Sequence, residues 1–454
     1  MNTRWARFAG ILLITVVLTL GSPAEGARFS LIRDAEIENT IRTYAAPLFK
    51  AAGLDADAVR VHLINDPGLN SFVAGGMQVF INTGLLMTAE NPNQVIGVIA
   101  HETGHIAGGH LARANEALRG ASVMAILAYV LGAATAVASG GKGAGAVIAG
   151  GQSLAQQTLL QYSRTQEQAA DQFAVTVLDR TKQSSAGLAR FLEILSHQEA
   201  LFVGSQDPYL RTHPLTRDRI NFVRHHVAVS PYSSRTEPAA WQEMFRRMQA
   251  KLVGFLMPPG RTFARYPESD TSIEARYARA IAHFRHADLV PALAEIDSLI
   301  AERPDDPFFH ELKGQILFEN GRVDDAVAPY RRAVALLPDA PLIRVGLARA
   351  LIETGASDVL EEASRHLEAV VRRDRDNGSA WRLLSIAYGR TERPGLSALA
   401  SAELGLLAGR YSEAVGFSKR AIKRLPFGSP GRLRAEDIEH AAKLAMKRAK
   451  ENEN

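Results

Sequence analysis

The run Val98-Ile99-Ala100-His101-Glu102-Thr103-Gly104-His105-Ile106-Ala107 sets two histidines four residues apart, with a glutamate beside the first. On an α-helix, residues four apart lie one above the other on the same face. His101 and His105 can therefore present two imidazole nitrogens to one metal ion. Glu102 projects beside them, placed to take a proton from a metal-bound water. Zinc suits such a site: it accepts neutral imidazole and carboxylate ligands and, in catalytic centres, keeps one position open. Val95, Ile96, Val98, Ile99, Ile106 and Leu111 form an apolar framework at helical spacing around the motif, and Pro92 stands where a helix can start. Two histidines and a glutamate on so apolar a helix would be costly to bury without partners. The chemistry implied is metal-assisted hydrolysis of peptide bonds, with one zinc ion per chain.

Two histidines need a third protein ligand. Downstream lies Ser163-Arg164-Thr165-Gln166-Glu167-Gln168-Ala169-Ala170-Asp171, with Glu167 and Asp171 four apart on one helical face. A carboxylate from a following helix meets the geometry of a zinc site. Glu167 is then the ligand, and Asp171 orients a ligand histidine through its other ring nitrogen. Taken alone, the same pair also fits a solvated helix face.

These elements must be positioned by the rest of a long chain. With 454 residues, two or three domains are expected, and an apolar content of 46% with 22% charged residues is that of globular protein. The net charge of +4 is spread along the chain, and no basic block argues for nucleic acid. No cysteine is present, which excludes disulfides, thiolate ligands and a lipid-modified cysteine. Arg4 and Arg7 precede an apolar run from Phe8 to Leu20 and a small-residue zone ending near Ala24 or Gly26. This reads as a cleavable signal peptide over residues 1–24, and hence as export. An uncleaved anchor is the alternative, although the run is short for a span of ~20 residues.

After the signal, Asp34 to Ala52 reads as a helix with Ile37, Ile41, Tyr44, Ala45 and Leu48 on one stripe, and Val59 to Ile64 as a strand. Residues 70–86 read as two short strands turning at Gly75-Gly76. An edge strand beside the histidine helix would bind extended substrate by main-chain hydrogen bonds, with Gly75, Gly76 and Met77 as the contacts. A plain core hairpin fits the spacing equally well. From Ala121 to Gly141 no residue is charged, and 140–151 is rich in Gly and Ala. Three readings stay open for 121–138: a buried helical hairpin, an apolar flap making peripheral contact with membrane or substrate, and a membrane span.

His101-Glu102-Thr103-Gly104-His105, followed by Ser163-Arg164, Glu167 and Asp171, resembles the gluzincin metallopeptidases of the HtpX and BepA kind. Asn82-Thr83-Gly84-Leu85-Leu86 and Thr212-His213-Pro214 with Arg219-Ile220 belong to the same resemblance, which covers about Ala35 to Val229. It implies zinc held by His101, His105 and Glu167, with Glu102 as general base. It also implies that His213, in a loop before a proline, caps the metal as a fourth ligand in a latent state, and that Arg219 stabilises the oxyanion. A surface role for His213 stays open on the residues alone. The signal peptide and the lack of several spans favour the exported, periplasmic BepA-like branch.

The peptidase unit is expected over residues 28–255 and a linker over 256–270, where Met257-Pro258-Pro259-Gly260 opens a Pro- and Gly-containing stretch. Beyond it, Ala292 with Arg303-Pro304 and Ala326 with Leu337-Pro338 recur at one spacing, and Ala414, Ala421 and Pro426 close a further unit. Ala363, Trp381, Leu384 and Tyr388 fit the pattern, while Asp374 stands where proline is expected. Residues 271–430 resemble tetratricopeptide repeats, helix pairs that stack into a superhelix with a concave face for partners. An irregular bundle is the alternative. Residues 431–454 are expected to form a helical tail capping the repeats, acidic at its start and basic at its end. The fold class is mainly α: a helical zincin domain with a small β-sheet, followed by an α-solenoid. The resemblance implies a periplasmic endopeptidase acting on misfolded outer-membrane or envelope proteins, with the outer-membrane assembly machinery docking on the repeats. The alternative is a chaperone or scaffold in which proteolysis is secondary.

Overall fold

The computed structural model describes residues 30–56, 58–113, 116, 163–201, 213–355 and 357–453. Residues 1–24, expected as a signal peptide, and the 121–138 segment lie outside the described residues. The N-terminal part comprises β1 (Leu31–Ile32), α1 (Ala35–Ala51), β2 (Arg60–Ile64), β3 (Ser71–Ala74), β4 (Gln78–Asn82), α2 (Thr83–Thr88) and α3 (Pro92–Ala107). Then come α4 (163–180), α5 (Ala186–Leu201), α6 (Arg217–Val229) and α7 (Ala239–Leu256).

The four strands form one sheet in the order β1-β2-β4-β3. β2 and β4 run parallel, with Leu63 opposite Ile81, while β3 is antiparallel to β4 at the edge. Side chains alternate across a strand, so Val61, Leu63, Val79 and Ile81 turn to the helices, and Val79 and Ile81 are wholly buried. On α1, Ile37, Ile41, Tyr44 and Leu48 form the predicted stripe and enter the same core. That helix starts at Asp34, whose side chain accepts hydrogen bonds from the Glu36 and Ile37 amides, a cap worth about 1 kcal/mol.

α3 is the centre of this core. Nearly all of it is buried, from Pro92 to Gly104, with Val95, Ile96, Val98 and Ile99 in the core. Asn91 caps its start by accepting from the Gln94 amide, and Pro92 sits at the first position, where its missing N–H costs nothing. The helix ends at Gly108. Leu111, expected within the apolar framework, falls beyond that end and is exposed, because the chain turns at Gly108-Gly109 and the helical register is lost. Backbones approach closely on two sides. A Cβ at Gly97 would lie 2.8 Å from the Leu188 amide on α5, and one at Gly104 would lie 2.9 Å from the Ala170 carbonyl on α4.

Residues 256–270, expected as a linker, contain the helix α8 (Pro259–Arg265). Its Thr262 donates a hydrogen bond to the Val253 carbonyl of α7. The remaining chain is helical throughout its described residues: α9 (Ile273–Arg285), α10 (Leu289–Glu302), α11 (Pro307–Glu319), α12 (Val323–Leu336), α13 (Pro341–Thr354), α14 (Ser357–Arg373), α15 (Gly378–Arg390), α16 (Pro394–Leu407), α17 (Tyr411–Arg424) and α18 (Pro430–Glu453). Successive helices pack in order through small residues: Ala292, Ala326, Ala363, Ala414 and Ala421 are all fully buried. The Tyr330 ring on α12 rests between Gly314 on α11 and Gly346 on α13, where any Cβ would lie within 2.8 Å of it. Asp374, at the anomalous repeat end, makes ion pairs with Arg33 and Arg60 of the N-terminal part. α18 packs Ile438 and Ala442 against the last repeat helices.

Candidate metal centre

α3 places His101, Glu102 and His105 where its apolar length forces them inside. Gly104, between the histidines, lets α4 come close enough to bring its carboxylates to the same place. His213 arrives from the segment just before α6. Thr216 caps α6 by accepting from the Arg219 amide, which fixes the chain direction behind His213.

Four donor atoms converge, one each from His101, His105, Glu167 and His213, all within 4.8 Å of one another. His101 Nε2 lies 3.1 Å from His105 Nε2 and 3.4 Å from His213 Nδ1. Glu167 Oε2 is 3.3 Å from His101 Nε2, and Oε1 is 3.3 Å from His105 Nε2 and 3.1 Å from His213 Nδ1. A tetrahedron with corners ~2.0–2.1 Å from its centre, the usual zinc–nitrogen and zinc–oxygen distance, has edges of about 3.3–3.4 Å. The quoted separations, shared between the two Glu167 oxygens, lie near those edges, so the residues present fit a four-donor metal ion. Glu102 is fully buried, and among the described residues its two carboxylate oxygens accept no hydrogen bond. A buried carboxylate in that condition costs on the order of 1–3 kcal/mol or more, as expected for a group held for chemistry.

Around the donors stands a supporting layer. Asp171 Oδ1 lies 2.9 Å from His101 Nδ1. Arg219 holds Asp171 with two bonds, Nε to Oδ2 at 2.6 Å and Nη2 to Oδ1 at 3.0 Å. Its Nη1 reaches Glu167 Oε2 at 2.9 Å and donates to the Pro214 carbonyl at 3.0 Å. On the other side, His110 Nδ1 lies 3.0 Å from His105 Nδ1.

The electrostatics follow from burial and these contacts. Burial disfavours a charged His101, but Asp171 and Glu167 together outweigh it and lift the ring to about 9. Burial, with the nearby His101 and His213, pushes His105 down to about 3, against the hydrogen bond it donates to Glu167. Burial raises Glu102 above the usual carboxylate range. Burial would raise Glu167 too, but His213 and the histidine hydrogen bonds hold it well below that range.

The residues singled out in the sequence thus meet in one place: His101, Glu102, His105, Glu167, Asp171, His213 and Arg219. Arg219 sits differently from the expected oxyanion contact. It is fully buried behind the carboxylates, and each of its guanidinium nitrogens already faces Asp171, Glu167 or Pro214. Gly75, Gly76 and Met77 form the exposed β3–β4 turn, with Gly75 and Gly76 at positive φ. β3 itself lies beside α3 at the sheet edge. His110 was missed; its signal was a histidine five residues after His105, out of phase with the motif's helical spacing.

Donors of this kind, gathered by three segments around a buried carboxylate, define a metallopeptidase, here joined to a helical repeat array. Residues 32–227 match Peptidase family M48, and residues 277–341 and 317–387 match tetratricopeptide repeats. The chain therefore carries an M48 peptidase domain with tetratricopeptide repeats on its C-terminal side, and it is a metalloprotease. It is similar to the beta-barrel assembly-enhancing protease of Yersinia pestis, 24% identical over 88% of this chain and 82% of that protein. It is likewise similar to the protein of that name from Escherichia coli (strain K12), 25% identical over 88% of this chain and 81% of that one. Among solved structures, MamA from Desulfovibrio magneticus is 17% identical with a TM-score of 0.30, covering 40% of this chain and 94% of that one, too slight a likeness to bear on the fold.

Proposed function

We propose that the chain is a periplasmic zinc endopeptidase that cleaves misfolded or stalled outer-membrane and envelope proteins, its repeats recruiting the outer-membrane assembly machinery. The observation that carries the catalytic part is the convergence of His101, His105, Glu167 and His213 beside the unbonded carboxylate of Glu102. The setting is supported by the signal-like N-terminus and by the two relatives named for β-barrel assembly. Among the described residues no helix is long and apolar enough to cross a membrane.

Zinc held by His101, His105 and Glu167 would act as a Lewis acid and make water a stronger acid. Glu102 takes a proton from the attacking water and passes it to the leaving amine. Its buried carboxyl, raised above the ordinary range, is suited to both halves of that transfer. Asp171 holds the His101 ring by its Nδ1, and Arg219 holds Asp171, so Arg219 acts as a positioning residue. β3 offers an edge on which an extended substrate adds as a strand, with Gly75, Gly76 and Met77 at its turn.

His213 occupies the fourth corner, the position that a water or substrate carbonyl needs. With His213 there the site is latent, and opening requires His213 to withdraw. In that state the repeats remain able to bind partners, which supports the second reading, a chaperone or scaffold with occasional proteolysis.

The test is the metal content of the purified mature chain, wild type beside His213→Ala, with casein cleavage assayed on both. About one zinc per chain, weak wild-type cleavage and faster cleavage by the variant are expected. Equal activity in both removes the latch and keeps the peptidase. No bound metal and no cleavage favours the scaffold.

A further inference from the structure

We propose that His110 is a positioning residue for the metal centre, its bare Nδ1 accepting a hydrogen bond from the Nδ1–H of His105 and so fixing the ring whose Nε2 faces the other donors. The inference rests on the metallopeptidase reading above and concerns a residue to which that reading gives no role.

The geometry is specific. Past the end of α3 the chain turns through Gly108 and Gly109, the latter at φ 61°, and a helical segment starts at His110. That turn folds the His110 ring back onto His105, with centroids 4.9 Å apart and planes at 82°. His110 is 5% exposed. Gly108 makes the return possible: a Cβ there would lie 2.4 Å from His110 Nε2. The backbone of His110 is held as well, its carbonyl accepting from Gln166 Nε2 at 3.1 Å. Gln166 precedes Glu167, so this one residue ties the second histidine of α3 to the helix that brings the carboxylate.

Two Nδ1 atoms 3.0 Å apart can share only one proton. A histidine that offers Nε2 to a metal carries its proton on Nδ1. His105 is then the donor, and neutral His110 keeps its own proton on Nε2. The two histidines of the motif are thus backed differently. His101 leans on a carboxylate braced by an arginine, which makes its ring a stronger base. His105 leans on a neutral ring, which orients it and adds little charge.

The experiment uses the full mature chain and zinc alone, measuring affinity by competition with a chromophoric chelator for wild type, His110→Phe and His110→Gln. His110→Phe keeps the shape and loses the acceptor, and should weaken zinc binding roughly 10–100-fold. The amide oxygen of His110→Gln can accept from His105 and should recover most of that loss. Wild-type affinity in His110→Phe overturns the proposal, and so does an equal loss in both variants, which would mark a packing role. Failure of the wild type to bind zinc overturns the metallopeptidase reading instead, and this inference with it. Should His110→Phe not fold, nitrogen-15 spectra of the zinc-loaded wild type decide: protonated Nε2 with bare Nδ1 at His110 is expected, and a proton on its Nδ1 would refute the assignment.

Discussion

Among the described residues, two buried clusters of charged side chains are built on opposite principles. In the metal centre, three imidazole nitrogens and a carboxylate point inward at one another, all within 4.8 Å. Between the peptidase part and the repeats, carboxylates converge instead on a cation that the chain supplies. Lys251 on α7 is fully buried, with its Nζ 2.9 Å from Asp34, 3.4 Å from Glu36 and 3.6 Å from Glu311. One turn earlier, Arg247 pairs with Glu36 and Asp306 and lies over the Phe309 ring. Tyr277 donates to Glu36 at 2.7 Å. Asp34 and Glu36 begin α1, while Tyr277, Asp306 and Glu311 belong to the first repeats. A cluster that contains its own counter-ion joins two domains; one made almost entirely of ligand-type donors fits a metal ion. Removing one member should therefore have different consequences in the two places.

The largest effect is expected at Glu102. Glu102→Gln keeps the ligand set and removes the proton acceptor, so cleavage of casein should fall by ~10²–10⁴ while zinc content stays at the wild-type level. Cleavage at the wild-type rate would show that this carboxylate has no part in the chemistry. At the domain interface the outcome is inverted. Lys251→Met leaves Asp34 and Glu311 without their cation and Glu36 with Arg247 alone, and should cost about 3–5 kcal/mol of stability, read by urea unfolding of the full chain. Zinc affinity should be unchanged, and a parallel loss of zinc would mean that the two clusters are one coupled system.

The smallest effect is a pH dependence. Burial pushes Glu311 up to about 7, against the attraction of Lys251. A carboxyl raised in the folded state binds more protons folded than unfolded between its two values, so stability falls as pH rises from about 4.5 to about 7. Lys251 and Arg247 are both raised and stay charged throughout that window. Glu311→Gln should flatten the fall by on the order of 1–3 kcal/mol relative to wild type. An identical slope in both proteins would show that Glu311 titrates normally.

The comparison also shows why the two clusters differed so much in legibility. The metal centre could be read because most of its members come in short-range pairs with helical spacing: His101 with His105, and Glu167 with Asp171. The interface could not. Lys251 and Arg247 are also four apart, but on an amphipathic helix such a pair looks like any solvated face. Their partners come from Asp34, Glu36, Asp306 and Glu311, at separations that carry no local signal. The stretch from Met257 looked like a bare linker because Pro258-Pro259-Gly260 reads as a break. Proline at the first helical position instead starts α8, and Thr262 ties it back to α7.

Helix geometry alone thus dictated that His101 and His105 share a face, that Glu102 stands beside them, and that the C-terminal half repeats as helix pairs. The first two follow from spacings of a few residues, which an α-helix converts directly into position, and the third from a recurrence 34 residues long. Three outcomes needed the folded chain. Arg219 lies behind Asp171 and Glu167 because the packing of α6 against the site buries its guanidinium among two carboxylates, where its charge is best compensated. His110 reaches His105 because Gly108 and Gly109 permit a turn that breaks the helical register. Lys251 became an internal counter-ion because two domains meet around it. In each case the deciding contact joins groups whose relation is set by packing or by a turn, and no periodicity in the chain encodes it.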